Sequence, residues 1–188
     1  LRKIGIYGGT FDPIHHAHLI LAREALEELG LEKVIFVPAA VSPFKDAPVA
    51  SAEMRLAMLR AAIDGETEFV LDDCELRRSP PSYAIDTVEE IRQREDDAEF
   101  YYLIGDDNLP DLTRWHRFPE LEKMVRFIVL NRTGTQSPHS YVTVPRRIDI
   151  SATEIRKRVA SGHSIRYFVP TVVEEIIRQG NLYREQAK

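Results

Sequence analysis

Apolar runs bounded by glycine or proline alternate with amphipathic stretches along nearly the whole chain. Lys3–Tyr7 reads as a buried strand. From His18 to Leu29 a helical stripe carries Leu21, Ala25 and Leu29, and Gly30 is its stop. Lys33–Val37 is a β-branched run ended by Pro38. Ser51 to Asp64 reads as a helix capped by Ser51, with Leu56, Leu59, Ala62 and Ile63 inward. Phe69–Leu71 is a short strand, and Tyr83 to Arg94 a helix with Ile85, Val88 and Ile91 inward. Glu99–Ile104 is a strand that ends, like the first, in a glycine, Gly105. Val125–Leu130 and Thr143–Val144 are further strands. Ser151–Ala160 and Thr171–Gln179 are the last helices, the second stopped by Gly180. Arg132–Ser140 reads as the most mobile loop and Glu95–Glu99 as a solvated turn.

Strands alternating with helices of this length predict an α/β fold: a Rossmann-like, doubly wound parallel sheet with helices on both faces. Ligands of such sheets bind beyond the carboxyl ends of the strands, where strand order reverses. The Gly8-Gly9 and Gly105 turns both lie at such ends and are expected to face one cleft. Residues 1–188 are expected to form a single domain, with 151–188 its helical carboxyl-terminal part.

Chemistry concentrates at the first of these turns. In Gly8-Gly9-Thr10-Phe11-Asp12-Pro13-Ile14-His15-His16-Ala17-His18, a strand gives way to a tight loop and a histidine-bearing helix start. Glycines let backbone approach a ligand, and a helix amino terminus offers N–H groups to an anion. His15 and His18, three apart, share a helical face. A second turn, Ile150-Ser151-Ala152-Thr153-Glu154-Ile155-Arg156, has capping-box spacing at Ser151 and Glu154. Read by itself it is a helix cap first and an anion site second.

Composition changes the picture by exclusion. The chain has 188 residues and a formal net charge of -5, which argues against sequence-independent nucleic-acid binding. One cysteine, Cys74, permits no intrachain disulfide and no thiolate cluster. No run reaches the length of a membrane span and no secretory signal is evident, so a cytoplasmic location is expected. Leu1 in place of a methionine suggests that a residue or two is missing or altered. The oligomeric state is left open, a homo-oligomer included.

The first motif resembles the GGTFDPIHxGH signature of bacterial nicotinate-mononucleotide adenylyltransferases, part of the HxGH nucleotidyltransferase superfamily. Ala17 stands where that signature has glycine. ISATEIR resembles the ISxTxxR motif of the same superfamily. The resemblance implies adenylyl transfer from ATP to nicotinate mononucleotide, giving nicotinate adenine dinucleotide and pyrophosphate in NAD synthesis. It implies that His15, His18 and Arg156 act on the phosphates. Gly8, Gly9, Thr10 and Phe11 would lie beside them, with Ile150, Ser151 and Thr153 closing the triphosphate site. Mg²⁺ is expected with the ATP phosphates and needs no all-protein metal site. Lys45, in Ser42-Pro43-Phe44-Lys45, resembles the cation of the family's PPHK or PPHR, although Phe44 replaces histidine and Ala39-Ala40 the usual asparagines.

Two middle segments extend the likeness. Ser82-Tyr83-Ala84-Ile85-Asp86-Thr87 resembles the SYTxDT helix start near the pyridine ring. The stretch from Ile104 to Arg117 resembles IGxDNLxxLxxWxR. The resemblance puts the nicotinate carboxylate against backbone N–H groups near Ala84 and His116. It puts Asp107, beyond Gly105, near a ribose hydroxyl. Asp86 and Thr87 read equally well as helix-start residues, and Trp115 as either a core aromatic or a ring platform. Rival readings are transfer to nicotinamide mononucleotide or phosphopantetheine, a nucleotide-binding sensor without catalysis, and a structural α/β domain.

Overall fold

The computed structural model describes residues 1–40, 47–131 and 138–184. Lys45 and Phe44, and most of the 132–140 loop, lie outside the described residues. The element order is β1 (Arg2–Gly9), α1 (His16–Leu29), β2 (Lys33–Pro38), α2 (Ala52–Ala62), β3 (Phe69–Leu71), α3 (Cys74–Arg77) and α4 (Ala84–Arg94). There follow β4 (Ala98–Gly105), a 3₁₀ helix (Asp106–Arg114), α5 (Phe118–Met124), β5 (Arg126–Leu130), β6 (Val142–Val144), α6 (Ala152–Ala160) and α7 (Thr171–Gln179).

The six strands form one sheet in the order β3-β2-β1-β4-β5-β6, every described pairing parallel. The chain steps outward from β1 to β2 and β3, then returns to pair β4 on the other side of β1. That reversal makes the carboxyl ends of β1 and β4 the switch point. Gly9 and Gly105 both end there, as expected from their places in the sequence.

Period-two alternation divides the strand residues between two cores. Ile4, Ile6, Ile35, Val37, Tyr102 and Ile104 pack with α4 and α5 residues such as Ile85, Val88 and Leu121. Tyr7, Val34, Phe36, Leu103, Ile128 and Leu130 pack on the opposite face with Leu21, Ala25, Met58, Ile155 and Ile177. Gly30 ends α1 in the left-handed conformation, φ 60° and ψ 46°, which glycine adopts without strain. Ser51 caps α2 by accepting from Met54 N–H at 3.3 Å, and Ser151 caps α6 by accepting from Glu154 N–H at 3.1 Å.

Some expected details differ. Leu29 and Leu56 are only half-buried, while Arg55 and Met58 take the inward places on α2. Glu95, assigned to a solvated turn, pairs with Lys33 Nζ at 2.7 Å. The α3, 3₁₀ and α5 segments were not expected as helices: they are short, and the 3₁₀ helix contains Pro110.

Gly8 is required by packing inside the protein. A Cβ there would sit 2.6 Å from the Tyr102 hydroxyl, and Tyr102 is only 3% exposed. Tyr102 is held edge-on by Trp115 (5.9 Å between centroids) and tilted against Phe127 (5.8 Å), so it has little room to yield. Gly8→Ala is expected to destabilise the protein by about 1–3 kcal/mol through overpacking. The check is urea denaturation of Gly8→Ala with and without Tyr102→Phe. Removing that hydroxyl leaves the nearest ring carbon at 3.4 Å, so the double variant should be more stable than Gly8→Ala alone.

Candidate active site

A cavity of about 810 Å³ opens at the switch point, within the ordinary range for small-molecule sites. One side is the turn after β1, from Gly8 to Asp12, with His18 of α1. A second side is the amino terminus of α6, with Ser151, Thr153 and Arg156. The far end is formed by Ser82, Tyr83 and Ala84 before α4 and by Asp107, Trp115 and His116 after β4. Residues from both ends of the sequence and from its middle therefore share one space.

The β1–α1 turn is held by buried charge. Asp12 is 3% exposed, and its carboxylate accepts from Val49 N–H (2.7 Å), Ala50 N–H (3.2 Å) and the Tyr183 hydroxyl (2.6 Å). Its backbone carbonyl accepts from Arg156 Nη1 at 2.7 Å, tying α6 to the turn. Arg55, 1% exposed, donates from Nη1 to the carbonyls of Thr10 (2.7 Å) and Ala39 (2.8 Å). Burial pulls the Arg55 guanidinium below its ordinary value, and the nearby Asp12 charge opposes that shift. Between them Asp12 and Arg55 hold both flanks of the segment that carries Lys45. Phe11 takes φ 48° in the left-handed region, where a non-glycine residue is uncommon. Its ring fills the space above Gly9, whose Cβ position would lie 2.9 Å from Phe11 Cζ.

His18 lines the cavity and is 6% exposed. The His15 N–H donates to His18 Nδ1 at 3.3 Å, so in the neutral ring the proton is on Nε2 and that nitrogen is the donor. His15 is fully buried and does not line the cavity; its ring stacks flat on His18 with centroids 3.6 Å apart. His16 is half-buried, and its N–H donates to Phe168 O at 3.0 Å. Ala17 is fully buried and also off the cavity, so its extra methyl faces protein. Arg156 Nη2 donates to Thr153 Oγ1 at 3.3 Å, which orients both side chains at the cavity edge.

At the far end, Trp115 is half-buried, part of the core and part of the wall. Tyr83 and His116 stack on each other with centroids 4.2 Å apart. Asp86 and Thr87 do not line the cavity. Asp86 Oδ2 accepts from Tyr83 N–H at 3.4 Å as a helix-start contact, and Thr87, fully buried, donates to Glu75 Oε1 at 2.8 Å. Arg78 completes that cluster, with Nη1 on Ser82 Oγ (3.0 Å) and Nη2 on Thr87 Oγ1 (3.1 Å). Ile150 packs against the core beside the cap and not into the cavity. Lys45 lies outside the described residues.

Sequence reasoning missed the roles of Asp12, Arg55, Glu75 and Tyr183. For Arg55 a signal existed, since it lies four residues before Leu59 on the inward stripe. The others make their decisive contacts with residues distant in sequence.

The sequence profile of the cytidylyltransferase-like family matches residues 6–158. A protein of Gemmatimonas aurantiaca described as a probable nicotinate-nucleotide adenylyltransferase is 41% identical, over 97% of this chain and 93% of its own length. A second, from Exiguobacterium sibiricum and described in the same words, is 41% identical over 96% of this chain and 98% of its own. The chain belongs to the nicotinate-nucleotide adenylyltransferase family. Its fold matches the solved nicotinic acid mononucleotide adenylyltransferase of Plasmodium falciparum complexed with NaAD, with a TM-score of 0.80 at 20% identity over 97% of this chain and 98% of that one. The same parasite's enzyme complexed with APC gives a TM-score of 0.78 at 21% identity over the same shares. Among the described residues no helix is long and apolar enough to cross a membrane.

Within this family member Glu75 is a buried acid on the cavity wall, and burial raises its carboxyl above the ordinary 4.5. The Thr87 hydroxyl and the Arg78 charge oppose that shift without cancelling it. A raised acid favours the folded state most below its unfolded value and loses that contribution as pH climbs through the folded one. Glu75→Gln, which does not ionise, should therefore gain thermal stability relative to the parent as pH rises above the ordinary carboxyl value of 4.5. Melting curves across that rise check this; a difference that stays flat with pH would show that Glu75 ionises as freely folded as unfolded.

Proposed function

We propose that this chain transfers the adenylyl group of ATP to nicotinate mononucleotide, forming nicotinate adenine dinucleotide and pyrophosphate. The observation that carries the reading is the single cavity in which His18, the Gly8–Thr10 turn and the Ser151–Arg156 helix start meet the aromatic wall of Trp115. Its family relatives carry this activity in their names, and the Plasmodium falciparum enzyme of the same fold is complexed with NaAD.

In this reading a phosphate oxygen of the mononucleotide attacks the α-phosphorus of ATP in line. A P–O bond forms on one side as the bond to the β-phosphate oxygen breaks, and pyrophosphate leaves. Such a reaction needs positioning and neutralisation of charge more than covalent help. His18 meets the α-phosphate oxygens with Nε2–H, its ring fixed by the His15 N–H and backed by the stacked His15 imidazole. Arg156 and the α6 amino terminus hold the departing phosphates; the planar guanidinium suits this, since it can bind a phosphate oxygen pair. Lys45 is a further cation assigned to the phosphates by its family motif alone.

Among the described residues no group of three or more His, Cys, Asp or Glu is arranged to hold a metal ion. A Mg²⁺ that arrives with ATP would neutralise phosphate charge, with Arg156 and His18 supplying the protein's share. The pyridine ring lies against Trp115, with its carboxylate directed to backbone N–H groups near Ala84 and His116.

The experiment is pyrophosphate release with ATP and Mg²⁺, comparing nicotinate mononucleotide, nicotinamide mononucleotide and phosphopantetheine. A strong preference for the first is expected; ATP binding without release from any acceptor would leave a nucleotide sensor in its place. His18→Ala should lower kcat by about a hundredfold or more with folding intact. Trp115→Ala should raise KM for the mononucleotide and leave that for ATP nearly unchanged, and equal effects on both substrates would make the indole a core residue only.

A further inference from the structure

We infer that Tyr183 is a positioning residue for the transfer: by holding the Asp12 carboxylate, it keeps the phosphate turn and Arg156 in reacting register. This deepens the function proposed above and rests on it.

Tyr183 lies near the end of the described chain, 171 residues from Asp12, yet its hydroxyl reaches Oδ1 at 2.6 Å. Both residues are buried, 8% and 3% exposed. The turn that delivers the ring is fixed by α7: Gly180 N–H donates to Ile176 O at 2.9 Å, and Leu182 N–H to Ile177 O at 3.0 Å. Tyr183 itself takes φ 62°, a left-handed conformation that costs an aromatic residue energy and has to be offset by its contacts. Packing of the ring in the core offsets part of it, but core packing needs only the ring. The hydroxyl answers a different need, that of a carboxylate removed from water.

What that carboxylate holds explains the link to chemistry. Its Oδ2 accepts from the N–H of Val49, which lines the cavity, and the Asp12 backbone carbonyl seats Arg156. Among the described residues the cations facing the pair are Arg55 and Arg156, both close enough to act on the Tyr183 hydroxyl electrostatically. Without the hydroxyl, Oδ1 keeps, among the described residues, only Ala50 N–H at 3.2 Å. An under-satisfied buried carboxylate attracts the nearest cation. Drawing Arg156 from the Asp12 carbonyl toward the carboxylate takes its guanidinium away from the departing phosphates. Burial and the Asp12 charge push the Tyr183 phenol well above its ordinary value, so it remains a donor at every working pH.

The test is Tyr183→Phe, which keeps the ring and removes one oxygen. Pyrophosphate release should fall in kcat by about ten- to thirtyfold, with a higher KM for ATP and an unchanged KM for the mononucleotide. Asp12→Asn should give the same pattern, and Tyr183→Phe should add little to it in the double variant. A purely structural role would lower thermal stability, leave both KM values alone and add to Asp12→Asn. That result, or a kcat and ATP KM within about twofold of the parent, overturns the proposal. ATP affinity by calorimetry separates this failure from that of the function. If the parent binds ATP without turnover, the function falls, and Tyr183 is judged by whether Tyr183→Phe weakens ATP binding by about tenfold. A parent that binds no ATP overturns both.

Discussion

A carboxylate taken out of water has to find donors, and the donors it finds become part of one mechanical unit. Asp12 finds them at Val49, Ala50 and Tyr183, while its carbonyl receives Arg156. Three stretches of chain are thus referred to one residue at the end of the turn after β1. Arg55, nearly inaccessible to solvent, does the complementary work with carbonyls, taking those of Thr10 and Ala39. The opposite charges offset part of each other's burial cost.

The sheet decides where this unit can act. Because β1 lies between β2 and β4, its carboxyl end opens into the crevice where crossovers diverge. Gly8 meets the Tyr102 hydroxyl there, and Gly9 meets the Phe11 ring. The two glycines therefore satisfy packing inside the protein before any ligand arrives. Tyr102 in turn carries Trp115 edge-on, so the phosphate turn and the aromatic wall are joined through one buried phenol.

Much of this was legible along the chain. The strands, the Gly30 stop and the Ser51 and Ser151 caps are local effects, set by period, φ or a short side-chain hydrogen bond, and they fall where the pattern puts them. The two phosphate motifs were legible too, since their residues are contiguous. What was not legible has a physical reason in each case. The 106–114 segment is a 3₁₀ helix with Pro110 and two leading acids, which breaks helical period. Arg55 sits on the inward stripe, but a charge there reads as solvent-facing until two carbonyls are seen to receive it. Thr87 read as a mononucleotide contact or a helix-start residue; it lies in the first turn of α4, and its hydroxyl is held between Glu75 and Arg78. The Asp12–Tyr183 contact joins residues at opposite ends of the chain, and no local pattern encodes it.

The two ends of the cavity are built on different physics, and this bears on what each can discriminate. At the end where β1 turns into α1, charged groups are fixed by buried hydrogen bonds before any ligand binds, the arrangement that makes fixed dipoles effective in a dry site. At the opposite end, Tyr83 and His116 hold each other by stacking, and His116 is exposed. Stacked rings give surface and shape but little polarity, so under the proposed function they would accept a pyridine without distinguishing an acid from an amide. That distinction would fall to backbone N–H groups, and at the start of α4 the chain is restrained by Asp86 on Tyr83 N–H and by the Glu75–Thr87–Arg78 cluster, which reaches Ser82. A carboxylate accepts from every N–H it meets, while an amide presents donors of its own on one side. Under the proposed function, selectivity for the acid would therefore depend on how rigidly those N–H groups are aimed, and at the start of α4 the buried cluster around Glu75 restrains the backbone through Ser82 and Thr87.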